Sequence, residues 1–217
     1  MNNLGSKVMR TLLGASLLVA ALDGVRSGAA ELVSCRRIWD AGKHNAFTDL
    51  VRHGKEWFCV FREGEGHVSP DGAVRVLVSS DGENWSSAAL LRSPRGDLRD
   101  PKIVVAPGRR LYLTAAIALP KPTPVYHQTV AWTSKDGRNW GEPVDIGEPN
   151  LWMWRVVWRK RTAYGIGYDT AGEDFVRLYR SRNGKSYETV LPALFEQGQP
   201  NEAGIAFEPD GTAICLL

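Results

Sequence analysis

The chain has 217 residues, with 43% hydrophobic residues, 24% charged residues and a formal net charge of +3. These are the proportions of a globular protein of one ordinary domain, or of part of a larger one. The basic residues form no stripe, which argues against a nucleic-acid partner.

Lys7 and Arg10 precede a mostly apolar run over residues 11–22, and the small residues Ser27-Gly28-Ala29-Ala30 follow. A positive region, a short apolar region and a small-residue cleavage site make a secretory signal peptide over residues 1–30. The run is too short to span a bilayer. The mature chain is therefore expected to be secreted or periplasmic, with a membrane-tethered N-terminus as the alternative. Residues 31–43 form a lead-in.

After residue 30 no segment keeps a helical period. Short runs of β-branched, aromatic and other apolar residues are bounded by Gly, Pro, Asn and Asp. Val74, Val76 and Val78 alternate with Ala73, Arg75 and Leu77, a strand period. Further strands are expected at 56–61, 110–116, 128–133, 155–158, 163–168, 175–180, 204–207 and 212–216. Hairpin signals stand at His53-Gly54, Pro107-Gly108, Arg159-Lys160 and Asp210-Gly211. Cys35, Cys59 and Cys215 are odd in number, which excludes a fully paired disulfide framework, and their spacing fits no metal site. Cys59, inside Trp57-Phe58-Cys59-Val60-Phe61, reads as a buried thiol. Nothing indicates a metal or an organic cofactor. The eight tryptophans have two readings, core packing or stacking on sugar rings.

A repeat orders these strands. Ser79-Ser80-Asp81-Gly82-Glu83-Asn84-Trp85 is matched by Ser134-Lys135-Asp136-Gly137-Arg138-Asn139-Trp140 and, more loosely, by Ser181-Arg182-Asn183-Gly184-Lys185-Ser186-Tyr187. Gly supplies the positive φ of a tight turn, the Ser and Asp side chains bond the turn's own amides, and the aromatic ring closes it. The motif is structural. With four strands per repeat, the spacing fits propeller blades, and residues 44–217 are expected to form consecutive four-stranded antiparallel units. Trp85 and Trp140 are expected to be buried beside their turns.

The repeats resemble the Asp-boxes of the sialidase (neuraminidase) superfamily, shortened by one residue before the Trp. Asp100-Pro101-Lys102-Ile103 resembles the opening of that family's second blade, and Pro200-Asn201-Glu202-Ala203 that of its fourth. The resemblance implies an all-β, six-bladed propeller cut to about three and a half blades. It also implies an active site at the central channel, with three arginines on the sugar carboxylate, an Asp acid/base, and a Tyr nucleophile activated by a Glu.

Carried over residue by residue, Glu202 matches the activating Glu. Thr48 stands where the first arginine belongs, which speaks against a standard sialoside. Asp71 and His67 lie in the loop of the acid/base Asp; Asp71 before Gly72 also reads as a plain hairpin turn. Arg62, Asp100, Arg155 and Trp154 are the further candidates for substrate contact. The remaining arginine and the Tyr would lie beyond Leu217, so the chain is expected to be a fragment inactive alone.

Three functions stay open. One is an exported, exo-acting glycoside hydrolase on a glycan or glycoconjugate. A second is a non-catalytic propeller that binds carbohydrate or protein. The third is a furanosidase of the invertase-related kind, suggested by Leu98-Arg99-Asp100-Pro101 but lacking that group's nucleophile and acid/base segments. Carboxylates and arginines converging on the channel favour an enzyme; a wall of aromatic and neutral residues favours a binder.

Overall fold

The computed structural model describes residues 30–217. The signal-peptide expectation lies almost wholly outside these residues. Residues 30–36 are exposed and have no regular structure, and residues 37–217 form one compact unit.

All regular structure in that unit is β. Strands β1 (His44–His53), β2 (Glu56–Gly64), β3 (Ala73–Ser79) and β4 (Ser86–Leu91) form one sheet; β5 (Asp97–Ala106), β6 (Arg110–Ala118), β7 (His127–Ser134) and β8 (Val144–Asp145) form the next. A third contains β9 (Leu151–Arg159), β10 (Thr162–Asp169), β11 (Val176–Ser181) and β12 (Glu188–Phe195), and a hairpin of β13 (Gly204–Phe207) and β14 (Ala213–Leu216) follows. Each sheet is an antiparallel meander in chain order, and the first strands β1, β5, β9 and β13 lie side by side. These are three propeller blades and the opening hairpin of a fourth, with the first strand of each innermost.

Packing between blades explains the alternation in the sequence. Phe58, Val60, Val74 and Val76 of the first blade meet Leu98, Ile103, Leu111, Leu113 and Ile117 of the second. Tyr112 and Ala131 of the second meet Leu151, Met153, Val156 and Tyr179 of the third. A fully buried aliphatic side chain stabilises such a core by about 1.5–3 kcal/mol relative to exposure. Cys59 is buried here, and its thiol is pushed up to about 11 by that burial.

The repeated motif joins the third and fourth strands of each blade. Gly82, Gly137 and Gly184 have φ of 75°, 71° and 70°. In the first turn the amides of Glu83 and Asn84 donate to Asp81 Oδ1 at 2.8 Å each, and the Gly82 amide donates to Ser79 Oγ at 2.9 Å. The Asp136 turn and the Asn183 turn repeat these bonds. Trp85 and Trp140 are half-buried rather than buried, because each indole donates to the carbonyl of its own turn glycine (3.0 Å) and keeps one side in water.

The second and third turns also grip the preceding blade. A methyl group on Gly137 would overlap the Phe58 ring. Tyr112 donates its hydroxyl proton to the Gly184 carbonyl at 2.7 Å and lies 3.1 Å from the Tyr187 hydroxyl. The tyrosine that replaces tryptophan in the third motif thus acquires a polar partner across the blade boundary.

Candidate functional site

The register separates the two ends of the blades. Trp57 pairs with Ser79 beside the β1–β2 hairpin, so the motif turns and the first hairpins share one end. The starts of β1, β5, β9 and β13 and the β2–β3 loop share the other. At that end β1, β5 and β9 each carry one extra residue relative to their partner, between Ala46 and Asp49, between Arg99 and Lys102, and between Met153 and Arg155. Such β-bulges re-aim side chains and are common beside active sites. Phe47, Asp100 and Glu202, at the starts of β1, β5 and the fourth blade, have φ of 62°, 48° and 39°, a region that L-residues enter rarely.

These bulges gather a charged and aromatic cluster. Asp100 is 6% exposed, its Oδ1 has no protein partner, and burial raises its pKa against the opposing pull of Arg99 and Lys102. Glu202 adds to that rise, and His67 opposes it. Lys102 is 8% exposed, with its ammonium 4.2 Å above the Trp154 ring. Burial lowers its pKa, while Asp100 and Asp49 hold it up. Asp49 joins two blades, accepting from the Ile103 amide at 2.8 Å and from Arg155 at 2.9 Å. Trp152 stacks on Tyr168 with centroids 5.9 Å apart and lies 5.9 Å from Trp154 and 4.9 Å from His127. Arg99 Nε, His44 Nδ1 and His127 Nδ1 are also buried without a protein partner.

Glu202, Asp100, Arg155, Trp154 and His67 therefore come to one end of the axis. Glu202 is exposed and near enough to Asp100, Lys102 and Tyr168 to act on their charges. His67 is exposed too, 5.5 Å from the His44 ring and 3.5 Å from the Arg99 guanidinium.

Arg62 and Asp71 have other tasks. Arg62 is wholly buried, and its guanidinium donates to Asp97 (2.9 Å), the Gly66 carbonyl (2.6 Å), and both the carbonyl and hydroxyl of Ser69 (3.2 and 3.0 Å). It is a tie for the β2–β3 loop and exposes no surface to a ligand. Asp71 is exposed and accepts from the Glu65 amide at 3.1 Å. Its carboxyl lies below the usual range, chiefly through Ser69, which suits the hairpin-turn reading rather than acid catalysis.

Sequence reasoning missed Arg99, Lys102, Trp152, Tyr168, His127 and Asp49 as site residues. Arg99 and Lys102 flank the Asp-Pro pair and were legible from it; the others arrive from separate blades with no local motif.

No protein-family model and no curated protein sequence matches the chain. Solved structures do match in fold. A protein of unknown function from Dyadobacter fermentans superposes with a TM-score of 0.65 at 17% identity, over 79% of this chain and 61% of that one. An N-acetylgalactosamine deacetylase from F. plautii, solved with blood group B trisaccharide, gives 0.57 at 18% identity over 76% and 59%. The GH93 α-L-arabinofuranosidase of Fusarium graminearum, solved with arabinobiose, gives 0.62 at 12% identity over 79% and 55%. The chain thus spans between 55% and 61% of the length of these structures. It is similar to carbohydrate-active propeller proteins in fold.

Proposed function

We propose that this chain forms the opening blades of an exported, sialidase-like propeller hydrolase that acts on a glycoside other than a standard sialoside. The observation that carries the reading is Asp100, a buried carboxyl with an unpartnered oxygen among aromatic rings at the end of the axis. Burial favours its protonated form, as a general acid requires. It would donate its proton to the leaving oxygen of a sugar held against Trp154 and Tyr168. Glu202, the exposed second carboxylate, would act on the group that attacks the anomeric carbon. Positive charge develops at the anomeric carbon as the leaving oxygen departs, and the Glu202 carboxylate would offset it, while Lys102 and Arg99 would donate to the sugar's hydroxyl oxygens.

Two features support a substrate other than a sialoside. Thr48 offers no guanidinium, and Arg62 has spent its own on the β2–β3 loop. Arg155 is already paired with Asp49. A binder lined by aromatic and neutral residues fits this wall less well, because Asp49, Asp100, Lys102, Arg155 and Glu202 converge on it.

The test is turnover by the whole protein on a glycoside panel that includes a fluorogenic sialoside, with Asp100→Asn alongside. A non-sialoside is expected to be cleaved best, and the variant to lose roughly 10²- to 10⁴-fold in kcat while sugar still quenches tryptophan fluorescence. Full activity in the variant, or a sialoside as the best substrate, would sink the proposal.

A further inference from the structure

At the opposite end of the blades, a cavity of about 160 Å³ opens between the second and third blades. Arg110 follows the β5–β6 turn, Arg161 lies in the β9–β10 turn, and Arg182 belongs to the third repeat motif; all three line it and all are exposed. None of them makes a carboxylate salt bridge or a side-chain hydrogen bond among the described residues. The rings of Tyr112 and Trp158 form the floor, edge to face with centroids 6.0 Å apart. Trp158 Nε1 is a buried donor without a protein partner. The lining contains no carboxylate.

The third motif departs from the other two at just this place. Where the first two have Asp81 and Asp136, the third has Asn183, which also lines the cavity. The Asn183 side-chain oxygen still accepts from the Lys185 and Ser186 amides at 2.8 and 2.9 Å. The turn therefore keeps its geometry and loses its negative charge. An aspartate here would offset one of the three positive charges; asparagine leaves three arginines lining one cavity with no carboxylate among them. Like charges brought together without a counter-charge are unfavourable. A ligand that supplies several anionic oxygens relieves this.

We propose that this cavity is a binding site for a tetrahedral oxyanion, a sulfate or phosphate group, either free or as an ester on a glycan. Arginine forks match such oxygens in pairs. The site is separate from the axis cluster and does not depend on any catalytic role there.

The probes are inorganic sulfate, inorganic phosphate, a sulfated oligosaccharide and its desulfated counterpart, each titrated calorimetrically at low ionic strength. The sulfated oligosaccharide is expected to bind at least about tenfold more tightly than the desulfated one, with affinity falling as salt rises. Sulfated sugar binding far above inorganic sulfate identifies the ester as the ligand; equal affinity per anion identifies the free oxyanion. Asn183→Asp restores the charge of the other two motifs without disturbing the turn. It is expected to weaken binding about tenfold, as a negative charge added beside a bound anion does, with a melting temperature no lower than wild type. Arg161→Gln with Arg182→Gln, both on exposed side chains, is expected to do the same. Absence of binding by all anionic probes, or undiminished binding in both variants, would overturn the assignment.

Discussion

Replacing Arg62 by methionine removes the group on which the β2–β3 loop hangs. The side chain is 0% exposed, and the Asp97 side chain is 7% exposed. The substitution keeps the aliphatic bulk but removes the charged donor from the carbonyls of Gly66 and Ser69, which retain only the Ser69 hydroxyl and the Gly72 amide, and leaves the Asp97 carboxylate without its paired cation. Breaking one side of a buried pair costs about 3–5 kcal/mol, a large part of the roughly 5–15 kcal/mol that holds a typical domain. The loss has a defined pH dependence. Burial already raises the Asp97 pKa, with Arg62 pulling it down; without Arg62 it rises further. A group with a raised folded pKa gives its full stability below the unfolded value of about 3.9 and loses it as pH rises through the folded value. The deficit of Arg62→Met relative to wild type is therefore expected to be small near pH 4 and largest at pH 7–8. Asp97→Asn added to Arg62→Met removes the stranded charge and is expected to recover much of the loss at neutral pH. Urea titrations of the three chains at several pH values measure this. A deficit under about 1 kcal/mol at pH 7.5, or one independent of pH, would refute the argument from a buried charge.

Two glycines separate backbone strain from contact. Gly54→Ala, at φ 63° with nothing within 4 Å, is expected to cost about 1 kcal/mol, whereas Gly137→Ala, at φ 71° against Phe58, is expected to cost about 2–4 kcal/mol by chemical denaturation. Asp100→Asn is expected to melt higher than wild type at neutral pH, with the gap closing towards pH 4, because a buried carboxyl with a raised pKa loses stability as it ionises. The Asp81 and Asp136 carboxyls are held well below the usual range, chiefly by the amides of Asn84 and Asn139. Their contribution is present above pH about 3.9 and lost as pH falls below it, so Asp81→Asn with Asp136→Asn is expected to flatten the acid limb of the melting-temperature profile.

The blades were legible because their determinants are local. A turn that needs a positive φ writes glycine into the sequence, and three such turns in register disclosed the repeat. The runs at 56–61 and 110–116 are apolar enough to announce central strands. Strands β4, β8 and β12 were silent: Val144–Asp145 is two residues long, and Glu188–Phe195 is mostly exposed and carries no burial pattern. The axis cluster was legible in part. Asp100, Glu202 and Trp154 sit beside motifs, but the pairing of Arg155 with Asp49 spans 106 residues and depends on a bulge in each strand. Arg62 was misread because a charge following an apolar run looks like one that leaves the core, and nothing nearby in sequence shows that Asp97 will meet it inside. Asp71 marked a turn, and a turn is what it makes.

The second and third motifs fasten their blades to the one before. The Asp136 turn closes against the Phe58 ring, and the Asn183 turn closes on the Tyr112 hydroxyl. The same seven residues thus serve both as a turn within one blade and as a clasp on its neighbour, so a seam between blades is secured by the same short motif that shapes each hairpin. Loss of the Phe58 ring should then loosen the seam between the first and second blades and leave the seam between the second and third as it is.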